Sequence, residues 1–463
     1  MKKHLVFVFV LLLVCALTAC TLAPAQSKSS DATDDSGAIE SGDTDPVGPL
    51  GGRVPEGGIV GGKVLPDYVR KEGATYDAMS AIDGYIPSAP VEEGADTNST
   101  PRAGVLTACA YDDHEFDAYW RGLLTSTQEG PGKFAEYFNR FAFKAFYQVQ
   151  VTVEGVVGAK VKLVQNDSTL SSAITDNAGI AYVFAPERPT DAKVVVEVPL
   201  AAGGALTLEK AVEGNTVTFD QDELEGALVG KHRRIAVMFV IDTTGSMGDE
   251  IRYLQKEIED VIGNIRQLTT AEVSLAVMVY RDDPVEDDYT TRYSDFTTDL
   301  TVQQAFLNQQ YAAGGGDFEE AVEVAMAEAV AKQWPADSTK ILIHVADAPA
   351  HDKDVPSWND TVQAAAAMGI RIVSVASSGI DEKTEYFFRS QSLLTGGVYV
   401  YLTNDSGIGG DHLEATVETR PEVELLNDCL VRVIGALYEG NHAITKLPEP
   451  TPEADEASRS TSE

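Results

Sequence analysis

The second half of this 463-residue sequence predicts an α/β fold with a doubly wound, mostly parallel sheet, preceded by a small all-β sandwich and a largely disordered tether. Three observations carry the prediction. Residues 235–241 and 341–346 are continuous apolar runs, as in strands covered on both faces. Stretches of helical period follow them, and strands alternating with helices imply a parallel sheet. Upstream the period changes to two: Val149, Val151 and Val153 alternate with Gln148, Gln150 and Thr152, so one face of each strand is buried.

Each segment can be justified in chain order. Lys2 and Lys3 precede an apolar run, 5–17, that is too short to span a bilayer and ends in Leu17-Thr18-Ala19-Cys20. This resembles the bacterial lipobox. The resemblance implies a signal peptide over 1–19, a lipid on the Cys20 thiol, and a chain held at the extracytoplasmic face of a cell membrane, or of an outer membrane where the cell has one. Residues 20–103 are rich in Ser, Asp, Gly and Pro and bury too little apolar surface to offset ordering entropy, so they read as the tether. An aromatic-rich segment, 104–146, spaces Trp120, Leu123 and Leu124, then Phe134, Tyr137, Phe138 and Phe141, as helices do. Packing onto the next domain is the expected role of those rings.

Residues 147–225 read as the sandwich, with a turn at Thr175-Asp176-Asn177-Ala178-Gly179. The order of its valines and that turn resembles the carboxypeptidase-regulatory, transthyretin-like domains, which implies a spacer. The α/β domain spans 233–440, with an amphipathic helix carrying Ile251, Leu254, Ile258, Val261, Ile262 and Ile265 on one face. A Pro-, Glu- and Ser-rich tail, 448–463, reads as disordered.

The formal net charge of −37 argues against nucleic acid as a partner, because phosphate contacts need clustered Lys and Arg. Of the four cysteines, Cys15 falls in the signal and Cys20 at the lipidation site. Export permits a disulfide between Cys109 and Cys429; two buried thiols are the alternative, and the sequence leaves both open.

The chemistry lies where strands are expected to end. Asp242-Thr243-Thr244-Gly245-Ser246 follows the first strand, Gly314-Gly315-Gly316-Asp317 opens a helix, and Asp347-Ala348-Pro349 follows a central strand. In doubly wound sheets ligands bind at the carboxyl ends of strands. Asp242, Thr244, Ser246, Asp317 and Asp347 then offer hard oxygen donors, which suit Mg²⁺ first and Mn²⁺ or Ca²⁺ as alternatives. Three carboxylates together without a cation would repel and take up protons.

This ordered set resembles the metal-ion-dependent adhesion site (MIDAS) of von Willebrand factor A domains. Asp242 and Ser246 match the first and last motif positions, Thr244 keeps the hydroxyl of the usual Ser, Asp317 stands where many members have Thr, and Asp347 matches the last Asp. Tyr280-Arg281-Asp282-Asp283-Pro284 and the Gly-rich stretch resemble the branch found in hemicentins and atypical α-kinases, although Glu319 and Ala350 stand where that branch has Pro. The resemblance implies a Rossmann-like fold and a metal-dependent binding module, acting in protein–protein interaction or adhesion, that takes a carboxylate from an extracytoplasmic protein. Asp317 adds a charge that weakens an acidic ligand and makes a neutral oxygen, or a purely stabilising metal in an envelope scaffold, more plausible.

Two enzyme readings fit less well. Thr244-Gly245-Ser246-Met247-Gly248 nearly matches a nucleophile elbow, and a hydrolase would pair Ser246 with Asp347 and His412, which leaves Asp242 and Asp317 idle. A haloacid-dehalogenase-like phosphatase would need an acid where Thr244 stands. A non-enzymatic module is therefore the expectation.

Overall fold

The computed structural model describes residues 105–440, except 111, 113–115, 128–129, 283–286, 404–411, 414 and 418–422. The expected signal peptide, Cys20, the tether and the tail lie outside the described residues. Among the described residues, no helix is long and apolar enough to cross a membrane.

The chain opens with β1 (Leu106–Ala110) and a π-helical turn, Phe116–Trp120, that runs into α1 (Arg121–Leu124). The short strands β2 (Ser126–Thr127) and β3 (Gly130–Pro131) pair antiparallel before α2 (Ala135–Arg140). The alternating valines then form β4 (Tyr147–Val153), β5 (Lys160–Gln165), β6 (Ser168–Ile174), β7 (Ile180–Ala185), β8 (Lys193–Pro199), β9 (Ala205–Ala211) and β10 (Thr216–Phe219). They make two sheets, β10-β4-β7 and β6-β5-β8-β9. Val149, Val151, Val161, Leu163, Val194 and Val196 all point into one shared core, so the period of two is read out as one buried and one wet face. The turn between β6 and β7 is held by Asp176, whose Oδ1 accepts from the Ala178 and Ile180 amides at 2.9 Å. Gly179 is required there: a Cβ would lie 2.3 Å from the Val153 carbonyl oxygen.

The remaining elements are β11 (Arg234–Asp242), α3 (Gly248–Leu268), β12 (Glu272–Tyr280), β13 (Thr291–Thr297), α4 (Leu300–Leu307), α5 (Val322–Ala331), β14 (Ser338–Ala346), α6 (Val355–Ala367), β15 (Ile370–Ala376), α7 (Glu382–Leu394), β16 (Tyr399–Leu402), β17 (Glu424–Leu425) and α8 (Leu426–Glu439). One eight-stranded sheet runs β13-β12-β11-β14-β15-β16-β1-β17, parallel from β12 to β16 and antiparallel at both margins. The continuous apolar character of β11 has a direct cause. Val237, Phe239 and Ile241 face a core built with α3 and α8, while Met238 and Val240 face another built with α5, α6 and α7.

The aromatic-rich segment does not stand apart from this domain. Its strand β1 completes the sheet beside β16, and its rings pack over α6 and α7. Trp120 stacks on Tyr386 at 6.5 Å, Phe143 meets Trp358 edge-on at 5.3 Å, and Tyr386 donates its hydroxyl to the Phe143 carbonyl at 2.5 Å. Beneath them Arg389, fully buried, bridges Asp112 and Glu385.

Candidate metal centre

Parallel pairing brings the site together. Ile241 of β11 lies opposite Val345 of β14, so Asp242, the last residue of one strand, and Asp347, one past the end of its neighbour, reach the same sheet edge. Both are buried, at 0% and 5% exposure. Thr244 donates its amide and its hydroxyl to Oδ1 of Asp242, at 2.8 and 2.7 Å. Ser246, exposed on the turn into α3, is near enough to Asp347 that its hydroxyl opposes the rise of that carboxyl. Thr243 faces the other way and fixes the turn to β12, donating its hydroxyl (2.7 Å) and its amide (2.9 Å) to the Tyr280 carbonyl.

A glycine-rich loop crosses above. Gly314 and Gly315 have φ of +78° and +75°, which strains any residue with a Cβ. A Cβ on Gly314 would fall 1.5 Å from an Asp287 carboxylate oxygen, and one on Gly315 would fall 2.8 Å from Oε1 of Glu320. The loop backbone is tied down by Ala313 donating to the Thr243 carbonyl at 3.1 Å and by Gly245 donating to the Gly314 carbonyl at 3.2 Å. Arg281, buried behind it, donates to the carbonyls of Thr243 and Tyr311.

Four of the five residues expected as ligands, Asp242, Thr244, Ser246 and Asp347, thus gather at one sheet edge, with Thr244 hydrogen-bonded to Asp242 and the Asp347 charge acting on it. Asp317 does not join them. Its side chain is 62% exposed and lies 3.5 Å from Nε2 of His351, and Asp282 completes a group in which one ligand atom from each residue lies within 4.8 Å of the others. Glu320 takes the inner position instead. It is 4% exposed and is fixed by its amide donating to the Pro349 carbonyl at 3.0 Å, on the loop that carries Asp347. Sequence reasoning missed Glu320 because an acidic residue just before a helix reads as an ordinary partner of the helix dipole.

Three buried carboxylate oxygens here have no hydrogen-bond partner: Oδ2 of Asp242, Oδ1 of Asp347 and Oε2 of Glu320. Burial, and then the neighbouring Asp347 charge, holds the Asp242 carboxyl well above its ordinary range, and burial raises Asp347. Glu320 is pushed up to about 10, by burial first and then by Asp242 and Asp282. Buried carboxylates with orphaned oxygens are stabilised either by protons or by a cation. The donor set, carboxylates with two hydroxyls, fits a hard divalent ion.

The serine has an informative partner as well. In a catalytic triad the hydroxyl touches a histidine that a carboxylate orients; here the group whose ionisation Ser246 affects is the Asp347 carboxyl. In place of a second catalytic Asp, Thr244 donates to Asp242.

Comparison with known proteins agrees with this architecture. Residues 236–410 match the family model of the von Willebrand factor A domain. The Alpha-protein kinase vwkA of Dictyostelium discoideum is 23% identical over 219 residues, which is 46% of this chain and 34% of that protein, so the match spans about a third of the relative's length. The chain therefore contains a von Willebrand factor A domain, a module that generally mediates protein–protein interaction and often does so with a metal.

Proposed function

We propose that the domain holds a divalent cation, Mg²⁺ before Mn²⁺ or Ca²⁺, between Asp242, Ser246 and Asp347 and presents it to a protein partner, without enzymatic activity. The single observation that supports this most is the trio of buried, unpaired carboxylate oxygens on Asp242, Asp347 and Glu320. Thr244 orients Asp242. Asp317 is the ligand expected from the loop. Its present contact with His351 is partly exposed to solvent, so turning the carboxylate inward costs little.

A bound cation supplies an electrophilic position for a partner's oxygen atom. With Asp317 and Glu320 adding charge beside Asp242 and Asp347, a neutral oxygen such as a backbone or amide carbonyl suits that position better than a carboxylate. The same excess favours a second reading, in which the cation only stabilises the domain within an envelope scaffold.

The lipobox-like Leu17-Thr18-Ala19-Cys20 supports an extracytoplasmic location, with a lipid on Cys20 as anchor and residues 20–103 as the spacer to the domain. A Cys20→Ser chain would then leave the membrane fraction.

Thermal unfolding of the full chain with Mg²⁺, Mn²⁺, Ca²⁺ or chelator tests the cation directly, because a ligand of the folded state alone raises the midpoint as its concentration rises. The wild type is expected to respond and Asp242→Ala is not. A wild type indifferent to all three ions would remove the basis of the reading.

A further inference from the structure

Cys109 on β1 and Cys429 on α8 are 320 residues apart in sequence, yet their sulfurs lie 3.1 Å apart, and both side chains are buried. Both are thiols in the structure. Arg432, one turn further along α8, places Nη2 3.3 Å from the Cys109 sulfur and 3.8 Å from that of Cys429, while Glu424 accepts from its Nε at 3.0 and 3.2 Å. Cys109, Cys429 and Glu424 also have the spacing of a metal site, but the Arg432 guanidinium reaches both sulfurs and the carboxylate, and a metal ion there would face a fixed positive charge.

We propose that Cys109 and Cys429 are joined by a disulfide, a covalent clasp between the first strand of the sheet and the last helix of the domain. The oxidant is another disulfide, small or protein-borne. The Cys109 thiolate attacks one of its sulfurs and expels a thiolate, giving a mixed disulfide. Cys429 loses its proton to water and attacks the Cys109 sulfur, expelling the second thiolate. Two electrons pass to the oxidant, and two thiols are released on protonation. Since α8 covers both sulfurs in the folded chain, the exchange takes place before α8 docks, and the finished bond is shielded from reductants.

The clasp has a topological role. The sandwich is inserted between β1 and β11, and among the described residues β1 joins the sheet through its pairing with β16 and β17. A bond to α8 fixes that strand and encloses both the sandwich and the A domain in one covalent loop.

The test uses the full chain, reduced and unfolded, then refolded in a mixture of reduced and oxidised glutathione, alkylated and mapped by mass spectrometry. The expected product is a linked pair of peptides containing Cys109 and Cys429, two hydrogens lighter than their sum, with Cys109 alkylated in Cys429→Ser. Reductant should lower the urea midpoint of the wild type and leave the double variant Cys109→Ser/Cys429→Ser unmoved. Both cysteines alkylated in the refolded wild type, either one bonded instead to Cys15 or Cys20, or zinc retained with two free thiols would each overturn the clasp.

Discussion

Thr244 donates both of its hydrogen bonds to one oxygen of Asp242, Oδ1, and leaves the other, Oδ2, buried without a partner. The carboxylate is thereby aimed, and it lies within the field of the Asp347 charge. Thr244→Val should keep the sheet and lose this orientation. We expect a fall in cation affinity of about tenfold, corresponding to about 1.4 kcal/mol, read by calorimetric titration.

Without a cation, stability should depend on pH in a sense unusual for carboxylates. Glu320 is pushed up to about 10 in the fold, and Asp242 and Asp347 are raised as well. A raised carboxyl binds its proton more tightly in the folded than in the unfolded chain, so its contribution is complete below its unfolded value near 4.5 and is lost as pH rises towards 10. Chelated protein should therefore lose thermal stability between about pH 5 and pH 9, and saturating Mg²⁺ should flatten the profile. Glu320→Gln, which keeps the shape of the protonated acid, should make it shallower without metal, leaving the part that Asp242 and Asp347 contribute. A chelated wild type whose midpoint rises across that window would refute this account of the site.

Ser246 is exposed, so Ser246→Ala should change the stability of the cation-free chain by no more than about 0.5 kcal/mol. It should nevertheless reduce the midpoint gained on adding Mg²⁺. That split between intrinsic stability and cation response separates a ligand from a structural residue.

Gly315→Ala places a methyl group 2.8 Å from Oε1 of Glu320 in a backbone with φ of +75°. Strain of about 1–3 kcal/mol is expected, with circular dichroism unchanged and the cation response weakened, because the loop over Asp242 must lift.

Arg389→Met removes a fully buried guanidinium and leaves Asp112 and Glu385 without it. Lys133, 2.6 Å from Glu385, compensates in part. Loss of about 3–5 kcal/mol in urea unfolding is expected, together with exposure of the aromatic layer over α7, which Trp120 fluorescence would report.

How far the sequence could be read depended on the range of the forces involved. Residues 235–241 are apolar throughout because both faces of β11 are covered, and a local pattern records that fact. The amphipathic face of α3 and the alternating valines of the sandwich are legible for the same reason. Strand β1 was not. Five residues, Leu106–Ala110, carry too little periodicity to be told from the aromatic segment around them, and their partner β16 lies almost 300 residues away. The fact that the aromatic segment belongs to the same domain follows from that one long-range pairing.

The site divides along the same line. The sequence by itself determined that Asp242, Thr244, Ser246 and Asp347 end strands or open turns of one parallel sheet, because strand period and turn chemistry are local properties. Only the tertiary structure decided that Glu320 lies inside while Asp317 lies outside beside His351, and that Cys109 meets Cys429. Those outcomes depend on how loops cross above the sheet and on where a distant helix docks, and burial at such crossings is set by residues far away in the chain.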